Sequence, residues 1–277
     1  MITKIIHTGD LHIRNLERLD ETYEVLSKFI EECKTIISGE ETPDNVRIVI
    51  CGDLVESKIH TSNECFLALG WFFRELDDLG VTTYIVCGNH DMSVNNMTRV
   101  DAITTLMNLG NYSNLKYLDS ELEFKSGCLI DDNVIWCLYS IFDDFNRPNI
   151  DEMKMRNPDS TLVGLVHTDI NGSRTDTGYI SEHGLDMGVF KGLDFVIAAH
   201  IHKFQELKKN GVRCVYCSSL IQQNFGENVS GHGFVLWDVP NKTYEFKEMD
   251  NSDRGFYKFL ISDISDIEND EEEYQNF

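Results

Sequence analysis

Short runs rich in β-branched residues alternate along the chain with longer stretches whose apolar positions recur at helical spacing. Strand-like runs fall at 4–7, 47–51, 83–87, 134–139, 162–166, 195–199, 213–217, 233–239 and 244–248. Between the first two runs, Leu19, Tyr23, Leu26, Ile30, Cys33 and Ile37 repeat with the period of one helix face. A second helix is predicted to start near Thr61, because Thr61 and Glu64 have capping-box spacing ahead of Phe66, Leu69, Phe72, Phe73 and Leu76. Thr98 and Asp101 mark a third start, before Ile103, Leu106 and Met107. This alternation predicts an α/β architecture. The C-terminal third reads as consecutive strands, which predicts that they build a second sheet. The pattern shows no internal repeat and no Pro- or Ser-rich linker. Residues 1–260 are expected to be one folded domain, and the acidic end, 261–277, a solvated tail.

Composition narrows this picture. With 42% hydrophobic and 10% aromatic residues, the chain has the material for a packed core. A formal net charge of −23 argues against a freestanding nucleic-acid binder, because phosphate backbones attract basic surfaces. The same acidity fits a protein that gathers divalent cations, or one that leaves nucleic-acid binding to a partner. The eight cysteines sit mostly inside apolar runs, where Cys acts as a small hydrophobe. Cys214 and Cys217 form a CxxC with no second pair, so core packing is expected there too. Unpaired cysteines point to a reducing compartment. With no signal-type apolar opening and no membrane-length run, the expected location is the cytoplasm, away from membranes.

Five short polar segments follow strand candidates: His7-Thr8-Gly9-Asp10-Leu11-His12, Gly52-Asp53-Leu54-Val55-Glu56, Gly88-Asn89-His90-Asp91, Val166-His167-Thr168-Asp169 and Ala199-His200-Ile201-His202. Sites in open α/β sheets assemble at the carboxyl ends of strands, where neighbouring loops converge. Carboxylates, imidazoles and one amide oxygen, without thiolate, suit manganese, iron or zinc in a reactive site. In Asp10-Leu11-His12 the two donors flank one residue, so an extended segment would point both the same way, and His200-Ile201-His202 repeats the spacing. Each segment alone has a plainer reading: GD and GN are ordinary turn dipeptides, and a single His after a strand is commonly a satisfied side chain. It is their order and their shared position at strand ends that speak for a site.

The ordered series GDLH, GDLVE, GNHD, VH and AHIH resembles the calcineurin-like metallophosphoesterase superfamily. Within it, the opening HTGDLH and the segment Tyr216-Cys217-Ser218-Ser219-Leu220-Ile221-Gln222-Gln223-Asn224-Phe225-Gly226-Glu227 are similar to SbcD-type DNA nuclease subunits of double-strand-break repair. The resemblance covers about residues 5–238 and implies a two-sheet β-sandwich flanked by helices. It implies two divalent ions, Mn2+ first among them with iron or zinc as alternatives. Asp10, His12, Asp53 and His202 would hold one ion, and Asp53, Asn89, His167 and His200 the other, with Asp53 bridging. His90 would sit over the scissile phosphate as a positioning group or general acid, with Asp91 orienting it. The implied partners are DNA, an SbcC-like ATPase subunit and a second copy of the chain. Ala199 stands where relatives have glycine, and Glu56 where they often have Asp or His. The capping domain usual in the family is not expected in this sequence. The competing readings are a cyclic-nucleotide or small-molecule phosphodiesterase, which shares these motifs, and a non-catalytic binding module, whose relatives typically lose the histidines kept here. A protein phosphatase is disfavoured, since GDLVES lacks the arginine that such relatives place after the GD motif.

Overall fold

Strand β2 (Val46–Cys51) is buried along its whole length, so it needs apolar cover on both faces. Ile48 and Ile50 pack against helices, in one cluster with Phe29, Leu69, Phe72 and Phe73. Val49 and Cys51 face the other way, into a second apolar layer with Trp136, Leu138, Leu165 and Ile197. The alternation of side chains along an extended strand thus builds two layers at once. The computed structural model describes residues 1–257, except 94, 97 and 144. The acidic end expected at 261–277 lies outside the described residues.

The first sheet has the order β12-β11-β1-β2-β3-β4, with β1 (Lys4–Thr8), β3 (Thr83–Val86), β4 (Leu115–Tyr117), β11 (Gly233–Asp238) and β12 (Thr243–Glu248). Strands β1 to β4 run parallel. Helices α1 (Leu19–Ser38), α2 (Asn63–Asp78) and α3 (Ala102–Leu109) bring apolar faces to this sheet. The second sheet has the order β5-β6-β7-β8-β10-β9, from β5 (Gly127–Asp131), β6 (Val134–Tyr139), β7 (Thr161–His167), β8 (Phe195–Ala199), β9 (Gln205–Lys209) and β10 (Val212–Tyr216). Its outer face carries α5 (Ile150–Arg156) and the short helix Met187–Phe190, while α4 (Leu118–Glu121) follows β4. The result is the two-sheet sandwich flanked by helices that the family resemblance implies. Fully buried side chains such as Phe29, Phe72, Trp136 and Trp237 hold the layers, each contributing about 1.5–3 kcal/mol of burial. An ion pair also crosses between the sheets: Arg47 Nε and Nη2 donate to the two oxygens of Asp131 at 2.7 and 2.9 Å, and Tyr84 adds a hydroxyl donor at 2.9 Å.

Three local expectations need correcting. Helix α2 is capped by Ser62, whose Oγ accepts from Cys65 N at 3.2 Å, so the cap is one residue after Thr61. Asp101 alone caps α3, accepting from Thr104 N at 2.6 Å. The last two strands do not extend the second sheet. Strand β11 pairs antiparallel with β1, in a register fixed at one end by the Lys4–Asp238 ion pair at 3.0 Å. There it covers the open edge of β1 and brings Val235 and Trp237 into the layer between the sheets.

Candidate metal centre

Because β1, β2 and β3 are parallel, the loops that follow them leave from the same edge, and β7 and β8 end opposite them. The first two loops zip together. Asp10 N donates to Gly52 O at 2.9 Å, His12 N to Asp53 O at 3.0 Å, and Ile13 N to Leu54 O at 2.9 Å. The Asp10-Leu11-His12 segment is not extended. Asp10 and His12 adopt left-handed backbone at φ 51° and 45°, as do Asp53 at 54° and His200 at 98°. Such conformations cost about 1–3 kcal/mol each and persist where the surroundings enforce them. For Asp10 the enforcement is visible: its carboxylate accepts from His200 N at 2.9 and 3.0 Å, binding the first loop to the last. Close approach also dictates two glycines. A Cβ on Gly52, itself at φ +88°, would meet His167 Nδ1 at 2.5 Å, and one on Gly88 would meet Asp53 N at 2.2 Å.

The seven expected ion ligands converge. Asp10, His12 and His202 form one cluster of donor atoms, and Asp53, His167 and His200 another. Asp53 lies between them, its Oδ2 at 3.1 Å from His167 Nε2 and 3.6 Å from His12 Nε2. Asn89 Oδ1 completes the second cluster, at 2.8 Å from His200 Nδ1 and 3.2 Å from His167 Nε2. In the first cluster, the Nε2 atoms of His12 and His202 face each other at 3.0 Å. Each ring has a carboxylate at its other nitrogen: Glu56 Oε2 is 2.8 Å from His12 Nδ1, and Glu227 Oε1 is 2.8 Å from His202 Nδ1. His12 Nδ1 lies close to Glu56 without hydrogen-bonding geometry. A carboxylate only accepts, so the hydrogen bond to Glu227 keeps a proton on His202 Nδ1 and turns its Nε2 toward His12. That juxtaposition fits a divalent cation, as does the donor set of imidazole, carboxylate and amide oxygen.

The electrostatics agree. Burial opposes charge on His167, but adjacent Asp53 outweighs it and lifts the ring to about 9. Burial likewise opposes ionisation of Asp53, and the His167 charge outweighs it, holding the carboxyl well below its ordinary range. Burial would lower His202, yet its bond to Glu227 raises it. The centre therefore concentrates negative charge that attracts positive charge, and bound cations would take the place of these protons.

His90 and Asp91 sit side by side with different surroundings. The His90 ring packs edge-on against His12 with centroids 4.7 Å apart, and its Nδ1 donates to Glu56 O at 2.7 Å. That leaves Nε2 as the nitrogen able to exchange a proton. The orienting contact expected from Asp91 is thus supplied by the Glu56 carbonyl. Asp91 is fully engaged elsewhere: Oδ1 accepts from Leu54 N at 2.7 Å and Val55 N at 3.2 Å, and Oδ2 from Asp53 N and Gly88 N, both at 2.9 Å. Burial, then the Asp53 charge, push its carboxyl up to about 7. Glu56 and Glu227 had no role assigned from the sequence; the only signal for the second was its place in the FGE segment. The outlying histidines stay outside the donor set. His7 is buried between the sheets with neither ring nitrogen in good hydrogen-bonding geometry, and His232 meets Ser219 Oγ at 3.1 Å and Asn228 O at 2.7 Å.

Two cavities flank the centre. One of about 250 Å³ opens beside His200 and His202, walled by Thr175, Thr177, Lys203 and Asn224. The other, of about 360 Å³, opens beside His167, walled by Arg147, Thr168 and His183.

A family of calcineurin-like phosphoesterases matches residues 3–204, and the chain belongs to that family. Among known proteins, it is 31% identical over 275 residues to an uncharacterized protein of Acanthamoeba polyphaga mimivirus, an alignment that spans 96% of this chain and 19% of that protein. The chain therefore corresponds to about a fifth of that relative's length. It is 26% identical over 245 residues to exonuclease subunit 1 of Enterobacteria phage T4, covering 88% of this chain and 67% of that one. Its fold is similar to that of a dimetal phosphatase from Danio rerio, with a TM-score of 0.53 and 12% identity over 86% of this chain and 93% of that chain. Among the described residues, no helix is long and apolar enough to cross a membrane.

Proposed function

We propose that the chain is a two-metal phosphodiesterase acting on DNA, an SbcD-like exo- or endonuclease that serves repair or recombination beside an SbcC-like ATPase. The observation that carries the chemistry is the donor set, with facing imidazole nitrogens in one cluster and Asp53 set between two. Asp10, His12, Asp53 and His202 would hold one ion, and Asp53, Asn89, His167 and His200 the second. Two divalent ions, Mn2+ by preference, would supply neutralisation of the phosphate and activation of a water nucleophile. The remaining steps belong to the chain. His90, held at Nδ1 by the Glu56 carbonyl, presents Nε2 to donate a proton or hydrogen bond to the leaving oxygen. The backbone hydrogen bonds between the loops keep the donors fixed.

The SbcD-type motifs point to DNA, and similarity to the phage exonuclease subunit supports a nucleic acid as the substrate. So do the cavities on both sides of the centre, which suit a substrate extending past one phosphate. The charge of −23 supports a division of labour in which the ATPase supplies the basic surface and this chain the chemistry. The resemblance implies a homodimer within that complex, in the cytoplasm.

The test is hydrolysis of end-labelled DNA against a small chromogenic diester, each with Mn2+ or with EDTA. DNA degradation that requires Mn2+ is expected. Turnover of the small diester with intact DNA would move the assignment to a small-molecule phosphodiesterase, and turnover of neither would favour a binding module. DNA affinity measured against salt, with and without a candidate ATPase, tests the partnership. Tight, steeply salt-dependent binding by this chain alone would overturn it.

A further inference from the structure

The segment at 222–227, between β10 and β11, has no part in the chemistry above, yet it touches both loops that furnish the first ion's donors. Glu227 Oε1 accepts from His202 Nδ1 at 2.8 Å and from Asn224 Nδ2 at 2.6 Å, while Oε2 accepts from Gln223 N at 2.7 Å. Gln222 Nε2 closes the turn by donating to Glu227 O at 2.8 Å. On its other side, Gln223 Nε2 donates to Leu11 O at 3.3 Å, the carbonyl between Asp10 and His12. Arg18 Nη1 donates to Gln222 O at 2.7 Å, and Arg14 donates to Gln223 O. The Glu227 side chain is only 9% exposed, and these bonds engage both of its oxygens.

We infer that Glu227 is a positioning residue for the first ion, fixing His202 as the Nδ1–H tautomer with its Nε2 aimed at His12. The inference rests on the two-ion reading of the centre. A backbone acceptor would orient a ring equally well, and the second cluster uses one: His167 Nδ1 lies 2.7 Å from Cys51 O. His200 meets its neighbour Asn89 through Nδ1 and needs no such brace. Among the described residues, the carboxylate brace therefore falls on His202 of the first cluster; Glu56 comes within 2.8 Å of His12 Nδ1 but is 43% exposed and out of hydrogen-bonding geometry. Removing Glu227 leaves the second ion's donors untouched. It frees His202 to rotate or to move its proton to Nε2, which blocks the lone pair. Carboxylate partners of this kind typically govern metal affinity by about 10–100-fold.

The experiment is Mn2+ titration by calorimetry of the full chain, comparing wild type, Glu227→Ala and Glu227→Gln, with thermal unfolding of each in EDTA. Wild type is expected to take up two ions. Glu227→Ala is expected to bind one ion about 10–100-fold more weakly and the other as before, with metal-free unfolding little changed. Glu227→Gln should recover most of the loss, because its amide oxygen still accepts from Nδ1. Wild-type affinities for both ions in Glu227→Ala would overturn the inference. So would equal loss of both ions with a collapse of metal-free stability, which marks a general brace. A wild type that takes up no Mn2+ would instead overturn the two-ion reading beneath it.

Discussion

Replacing Asp91 tests whether the carboxylate beside His90 is architecture or chemistry. Four buried backbone donors share it, two on each oxygen, from Asp53, Leu54, Val55 and Gly88. A buried donor left unsatisfied costs about 1–3 kcal/mol, so four set a ceiling on the order of 10 kcal/mol. Water entering from the cavity lined by Ser57, Lys58 and Ser93, which Asp91 also borders, relieves part of this. The expected loss for Asp91→Ala is therefore about 4–6 kcal/mol, a large share of the ~5–15 kcal/mol that stabilises an ordinary domain. Asp91→Asn keeps one oxygen for one pair of donors and turns its amide hydrogens toward the other pair. It should lose roughly half as much. Urea unfolding of the metal-free chain measures both. Ion affinity should fall alongside, since all four donors lie in the loops that carry Asp53 and Asn89. Wild-type stability in both variants would refute the argument. Wild-type stability with turnover lost in Asp91→Asn would restore a direct part in catalysis.

Other perturbations separate the remaining roles. His90→Ala is expected to retain two ions while turnover falls on the order of 100-fold or more; elemental analysis showing a lost ion would make His90 a ligand. Asp53→Ala should lose tight occupancy at both ions together with hydrolysis, and an active variant holding two ions would end its bridging assignment. Burial pushes the His7 ring down to about 3, with the Ala198 carbonyl a partial offset, so the unfolded chain takes up a proton that the folded chain refuses as pH falls below about 6.5. That share of stability is present above the unfolded value and shrinks by about 2 kcal/mol at about pH 5; His7→Leu should remove it, and identical stability slopes for the two proteins over that range would contradict the account.

The donor residues that converge in the structure could be nominated from the sequence because metal chemistry limits candidates to a few residue types, and parallel strands place those types at strand ends. Strands such as β2 and β6 were legible for a related reason: they are buried on both faces and so almost wholly apolar. What escaped was set by partners distant in the chain. Strand β5, GCLID, and strand β9, QELKK, lie at the two edges of their sheet and lack a continuous apolar run. Their pairing depends on β6 and β10, and β5 is further held by Arg47 from the opposite sheet. The return of β11 to β1 spans most of the chain, and no local pattern encodes that choice of edge.

Supporting residues around the site follow the same logic. Asp91 and His90 are neighbours in sequence, which invites pairing them, but the polypeptide turns so that the carboxylate faces backbone donors and the imidazole a carbonyl thirty-four positions earlier. Glu227 lies 25 positions from His202 and meets it only because β9 and β10 fold back between them. A ligand's identity is a property of its side chain, whereas a brace's identity is a property of the fold. Spacing motifs can therefore nominate the atoms that would hold the ions, but the groups that fix ring orientation and tautomer become visible only once the loops are in place.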